Sequence, residues 1–303
     1  MNAVDWLLTV EEPAVRDLAR RDLLGEKPRE RVLDGAIVQT LLAERNGHPY
    51  AKWQGAHWRL VSLVELGIPA GEPRALTAYE SVLAWLTGEG HRRGIKTIDG
   101  LTRRCASQEG NALAVGVRLG LAGDPRVEQL ARSLVEWQWP DGGWNCDKKA
   151  TGYRSSFNES LPPMWGLHEY ASATGAEWAR DSANRTAELF LSHRIFRSVR
   201  TGEVIHEKWL APHYPPFWHY DAWQALVVLG RMDLLRDPRA EEAVDLVEDR
   251  RDADGLWRAA KTWWRPPGSK GSNVEAVDWG GRAPSPMVTL NALRILRAAG
   301  RDA

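Results

Sequence analysis

Gln138, Gly142 and Trp144 stand in the spacing Gln-x-x-x-Gly-x-Trp, and Arg251, Gly255 and Trp257 repeat it with Arg in place of Gln. In the first copy, residues 136–159 run from the end of one helix through a long ordered turn to a new helix with Ser156 as its expected N-cap. An amide just past a helix end satisfies stray backbone groups there, and an indole six residues on can stack over it. A turn of this kind fixes how one helix hands over to the next. Asp254-Gly255 matches Asp141-Gly142, and the interval between copies spans two helical pairs, as a regular array requires.

Apolar residues recur at helical spacing on both sides of these turns. Inner-type helices, rich in small and apolar residues, are predicted at about 54–67, 107–120, 156–172, 219–230 and 285–299. Amphipathic partners are predicted at about 73–87, 125–138, 176–194 and 237–251. Residues 4–25, with Pro13 opening a helix before Gly25, and a helix over 30–45 form an N-terminal pair. No segment alternates over enough residues to be a strand, so the expected class is all-α, in one domain over 1–303 with the pair in 1–47 and the repeats in 48–303. Links after inner helices are short, and two carry Asp-Pro, which ends a turn and opens a helix. Links leading back into them, 88–106, 139–155, 195–218 and 252–284, are long. All the long ones then lie on one face with the inner-helix N-termini, where a functional site is expected.

Composition excludes several partners. Lys+Arg and Asp+Glu are both 40 among 303 residues, so no basic excess marks a nucleic-acid face. No apolar run approaches the roughly 20 residues of a membrane span. The N-terminus, with Asp5, Glu11 and Glu12, does not read as a signal peptide, and two cysteines do not make a disulfide scaffold. Cytoplasmic is the expected compartment. Tryptophan is the preferred aromatic, 16 against 4 Phe and 6 Tyr.

The α-hairpins with Gln-x-x-x-Gly-x-Trp turns resemble the repeat family shared by squalene–hopene-type terpene cyclases and protein prenyltransferase β-subunits. The likeness covers about residues 50–300 and is clearest at 138–144. The Ser-Ser-Phe-Asn-Glu run at 155–159 and the Trp-His-Tyr-Asp run at 218–221 look like landmarks of compact bacterial members. The resemblance implies an (α/α) toroid of five or six hairpins around a central cavity, and isoprenoid chemistry. It also implies that Trp144 and Trp257 face outward.

If the inner helices start at the decorated face, their first turns line the cavity mouth. That places Trp53, His57, Gln108, Asn111, Phe157, Asn158, Trp218, Tyr220 and Met287 near a substrate, an apolar small molecule. His219 and Asp221 are the leading catalytic pair, because a carboxylate orients an imidazole for acid–base work. As neighbours in sequence they meet only if the first turn is non-helical; otherwise Asp221 suits the helix dipole and His219 caps it. Glu159 and Glu109 are further candidates. Ser156 and Glu159 also have capping-box spacing, and Glu109 also suits a helix start.

The Asp-x-Asp-Asp acid motif and the Asp-Asp-x-x-Asp magnesium motif are absent, and Asp252-Ala-Asp254 reads as part of a turn. A cyclase would then use Asp221 as its acid, since burial among Trp rings keeps a carboxyl protonated. Trp53, Trp218, Trp263, Trp264 and Trp279 are the rings available to a pocket. The stretch 263–268 is either a lid or a plug. No cofactor is expected. A zinc site on Cys105, Cys146 and His219 is the alternative, though Asn145-Cys146-Asp147 departs from the Asp-x-Cys of prenyltransferases. The functional expectation is a terpenoid-cyclase-like enzyme. The alternatives are a non-catalytic binder of a hydrophobic molecule, a carbohydrate-active lyase or hydrolase, and a zinc-dependent prenyltransferase-like protein.

Overall fold

The computed structural model describes residues 2–260, 262–281 and 283–302. Helix takes 52% of the chain and strand 4%. The helices in order are α1 (Ala3–Leu7), α2 (Pro13–Leu24), α3 (Ala36–Leu42), α4 (Ala56–Glu65), α5 (Pro73–Thr87), α6 (Glu89–Arg93), α7 (Ser107–Arg118), α8 (Pro125–Trp137), α9 (Phe157–Thr174), α10 (Glu177–Ser192), α11 (Ala222–Arg231), α12 (Glu241–Asp249) and α13 (Pro286–Ala298). Starts follow local chemistry. Pro73, Pro125 and Pro286 open helices capped by the side chains of Glu72, Asp124 and Ser285. At the second Asp-Pro, a 3-10 turn over Pro238–Ala240 leads into α12.

Two expectations change. The helix expected over 30–45 shrinks to a 3-10 turn, Val32–Asp34, followed by α3. Gly35 interrupts it, because the Glu12 carboxylate fills the place of a Cβ there and accepts the Ile37 N–H at 2.9 Å. The loop before α7 holds a strand pair, β1 (Lys96–Ile98) against β2 (Leu101–Arg103), so the chain is mostly rather than wholly helical. Asp99 and Gly100, both at positive φ, make its two-residue turn.

The five inner-type helices pack in sequence, α4 on α7, α7 on α9, α9 on α11 and α11 on α13. The partners α5, α8, α10 and α12 lie against them, and α2 closes on α13. The approach of α7 to α9 is tightest. A Cβ on Gly110 would stand 2.3 Å from the Pro163 nitrogen, and one on Gly166 2.4 Å from the Gly110 oxygen. Pro162 and Pro163 sit inside α9. Without their N–H groups the preceding turn of α9 loses bonds, and Gly110 lets α7 pack directly on that bare backbone.

The repeated turn does the same work twice. The Trp144 indole donates to the Leu134 carbonyl at 2.9 Å, and the Trp257 indole to the Val247 carbonyl at 2.7 Å. Their backbone N–H groups donate to Ser160 Oγ (3.0 Å) and Thr289 Oγ1 (3.2 Å) on the following inner helices. Their carbonyls accept from Ser156 N (2.8 Å) and Ser285 N (2.9 Å). Both rings are fully buried rather than turned outward, each removing roughly 200 Å² from water, about 5 kcal/mol by area before entropy costs. Gln138 is bonded to Gly142 O (2.9 Å), Ser182 O (3.0 Å) and Thr186 Oγ1 (3.0 Å), tying α8 to α10. In the second copy Arg251 lies over the Trp257 ring at 4.8 Å instead. Asp252 accepts the N–H groups of Asp254 and Leu256, each at 2.9 Å, a turn role as expected.

The opposite ends of the inner helices meet in a charged floor. Glu65 ends α4, Arg118 ends α7 and Arg231 ends α11, with Glu169 from α9 and Arg294 from α13 beside them. Arg118 pairs with Glu65 (3.1 Å) and Glu169 (2.6 Å), Arg231 with Glu65 (2.7 Å), and Arg294 Nε donates to Asp22 of α2 at 2.9 Å. Arginines suit the negative ends of helices. Burial alone would raise the Glu65 carboxyl, but Arg231 and Arg118 outweigh it and bring it to about 2. Among the described residues no helix is long and apolar enough to cross a membrane.

Candidate functional site

A cavity of about 70 Å³ stands above this floor, between the inner helices and the 212–217 strap. Val61, Trp165, Phe217, Trp223, Val227 and Val288 make its apolar wall, and Glu65 and Arg231 its base. Ligand pockets for drug-sized molecules run to roughly 300–1,000 Å³, so only a small group fits without displacing the strap. Its polar side carries Asn111, His213, Tyr214 and Gln224. Asn111 Nδ2, Tyr214 Oη and Trp223 Nε1 are buried without a hydrogen-bond partner among the described residues. Three unpaired donors around one apolar space favour a ligand oxygen there.

His213 is fixed by Asp221. The fully buried Asp221 is the N-cap of α11, its Oδ1 accepting the Gln224 N–H at 2.8 Å. Its Oδ2 takes the His213 N–H (3.1 Å), Gln224 Nε2 (3.0 Å) and the His213 ring at Nδ1. With Nδ1 donating, His213 Nε2 is the accepting nitrogen, and Gln224 Nε2 lies 3.0 Å from it. The expected pairing of Asp221 with His219 is therefore replaced by one with His213. The extended backbone of residue 221 begins the helix after His219, whose ring instead stacks between Trp218 (4.0 Å) and Trp263 (3.9 Å). Among the described residues Asp221 accepts from the His213 and Gln224 N–H groups and the Gln224 amide, the contacts of a capping and orienting carboxylate, and it does not line the cavity as the expected acid would.

The remaining candidates fall into three groups. Trp53 stacks on Phe217 at 3.9 Å and donates to the Trp263 carbonyl at 3.1 Å, and Trp264 donates to the Tyr214 carbonyl at 3.0 Å. Trp279 meets the Tyr214 ring edge-on at 5.0 Å. Residues 263–264 thus lie on the strap over the cavity. Phe157 and Tyr220 pack together with Phe190 and Trp209, the Tyr220 hydroxyl donating to the Ile195 carbonyl at 2.6 Å. Met287 is buried beside Val288, and His57, whose burial takes it down to about 3, packs on Tyr50 and Trp58. Asn158 follows Phe157 in the first turn of α9. None of these candidates lines the cavity; Asn111 alone does.

The third group gathers where α7 and α9 begin. Arg104 donates to Gln108 (2.8 Å) and Glu109 (2.8 Å), and His91 lies 3.0 Å from Glu109, an ion-paired cluster rather than a free base. Beside it, Cys105, Cys146 and Glu159 place one donor atom each within 4.8 Å of one another. Ser156 makes no side-chain cap bond, so the capping box is not formed. Glu159 instead accepts the Ser107 N–H at 3.0 Å and lies 3.7 Å from Cys146 Sγ. Burial raises its pKa, and Glu109 adds to the effect. The neighbouring thiols act on each other, lowering Cys105 and raising Cys146. His219 is not in this cluster, which corrects the expected set of Cys105, Cys146 and His219.

His213, Tyr214, Trp165, Trp223 and Gln224 were missed by periodicity. The signals were a His-Tyr between prolines and polar or aromatic residues one turn after Asp221. No family model matches the chain, and no curated protein matches its sequence.

Proposed function

We propose that the inner and outer helices form an (α/α) toroid of the terpenoid-cyclase and prenyltransferase repeat type, and that its cavity takes a small, mainly apolar molecule bearing an oxygen acceptor. His213, oriented by Asp221, moves a proton on that molecule, while Asn111, Tyr214 and Trp223 hold its oxygen. One observation carries this reading: a histidine on a buried carboxylate lines an apolar space with three unpartnered donors. A five-carbon isoprenoid unit is the class to offer first, given the size of the space. A second reading, a non-catalytic binder, is favoured by the Gln224 amide that already occupies His213 Nε2.

Calorimetric titration with 3-methylbut-2-enoate and 3-methylbut-2-en-1-ol tests the pocket, and product analysis with the corresponding diphosphates and esters tests the chemistry. We expect binding weakened about tenfold by Asn111→Leu, and turnover lost in His213→Gln with binding retained. Binding without turnover by the wild type selects the second reading. No binding of either five-carbon probe overturns both.

A further inference from the structure

We infer that Cys105, Cys146 and Glu159 form a binding site for a divalent metal ion of the zinc class, separate from the central cavity. The placement of the three side chains is built rather than incidental. Residue 103 pairs with residue 145 in a parallel bridge, and Arg104 N donates to the Asn145 carbonyl at 3.1 Å. This sets the two chains side by side, with Cys105 following Arg104 on one and Cys146 following Asn145 on the other. The Trp139 indole, donating to the Thr102 carbonyl at 2.8 Å, holds the first of those chains down. Cys146 is also two residues past the clamped Trp144. Glu159 reaches them from the first turn of α9, because Gly110 brings α7 and α9 into backbone contact.

The spacing and chemistry fit such an ion. Thiolate at about 2.3 Å and carboxylate at about 2.0 Å from a tetrahedral ion put neighbouring ligand atoms roughly 3.5–3.8 Å apart. Cys146 Sγ and Glu159 Oε1 are 3.7 Å apart, and no pair in the cluster exceeds 4.8 Å. The second carboxylate oxygen is held by the Ser107 N–H, the kind of outer contact that orients a metal-binding carboxylate. Two soft sulfurs with one carboxylate select zinc or a similar ion over magnesium or calcium. Two thiolates and a carboxylate sum to three negative charges, of which a dication offsets two. All three residues are only partly buried, so the fourth position opens to solvent for water or a ligand oxygen. This set differs from the expected one in having Glu159 in place of His219.

The test uses the full chain, reduced and freed of metal, then titrated with Zn²⁺ or Co²⁺. We expect one equivalent bound, with a thiolate-to-cobalt charge-transfer band in the near ultraviolet. Cys105→Ser and Cys146→Ser should each remove that band. Glu159→Gln, the mildest change, should keep the helical circular dichroism and weaken Zn²⁺ binding at least tenfold. A reduced wild-type chain that shows no band and no stoichiometric metal overturns the inference, as does unchanged affinity in Glu159→Gln. A Cys105–Cys146 disulfide whose reduction restores no metal binding overturns it as well.

Discussion

Glu65, the last residue of α4, and Arg231, the last residue of α11, meet at 2.7 Å in the floor beneath the cavity. Arg118 shares the same carboxylate, so Glu65 is the anion that lets two half-buried guanidinium groups approach. Removing one member of such a pair strands the others. Glu65→Gln should destabilise the protein by about 3 kcal/mol in urea denaturation at pH 7. Because the folded carboxyl titrates at about 2 against the ordinary 4.5, its contribution is complete above pH 4.5 and is lost as pH falls toward 2. The wild type should lose stability through that window more steeply than Glu65→Gln.

Gly110→Ala probes the seam between α7 and α9. The new methyl would meet backbone atoms, which cannot rotate away, so the helices must part. A loss of about 2–3 kcal/mol is expected, as for overpacking elsewhere. Because Cys105 precedes α7 and Glu159 begins α9, the same variant should weaken Co²⁺ binding while the far turn at Trp257 keeps its hydrogen-exchange protection.

Glu275 lies in the long segment before α13, and burial raises its carboxyl to about 7 despite the N–H groups of Ala276 and Val277. Folded protein then binds more protons than unfolded between pH 4.5 and 7, so stability falls as pH rises through that window. The fall attributable to this residue is of order 2–3 kcal/mol. Glu275→Gln should abolish that part of the slope in denaturation curves taken from pH 5 to 8.

Asp221 joins a helix cap to a histidine. Asp221→Ala should cost about 3 kcal/mol, combining a lost cap with lost charged hydrogen bonds. Asp221→Asn keeps the cap acceptor and should cost less than half as much, while changing the His213 ring resonances in NMR. Equal losses in the two variants would mean that the histidine contact, not the cap, dominates.

The helices were legible because their faces are periodic: the expected inner helices at 107–120 and 285–299 appear as α7 and α13, each within two residues. The hairpin at 96–103 escaped because its strands have three residues each, although Asp99-Gly100 marks its turn. The site was half legible. Inner-helix starts do gather Cys105, Glu109 and Glu159 at one end, but the cavity draws on residues one or two turns deeper, such as Val61, Trp165 and Val227. Its other wall, 212–217, carries three prolines and no periodicity, so helical spacing could not place His213 or Tyr214. The assignment of Asp221 to His219 failed for a related reason. Adjacency in sequence suggested the partner, whereas the extended backbone at the cap turned the carboxylate toward a residue eight positions back.

The carbonyls of Trp144 and Trp257 accept from Ser156 and Ser285, so residues 145–155 and 258–284 each leave the scaffold and return at a single closed neck. The second excursion is more than twice the length of the first, yet both necks have the same bonds. Once a loop is pinched at its base, doubling its length adds only about 0.6 kcal/mol of closure entropy. These two positions are therefore sockets. They hold segments of different length and chemistry on the same pair of backbone bonds, so what covers one end of the molecule is set by the segments and not by their necks.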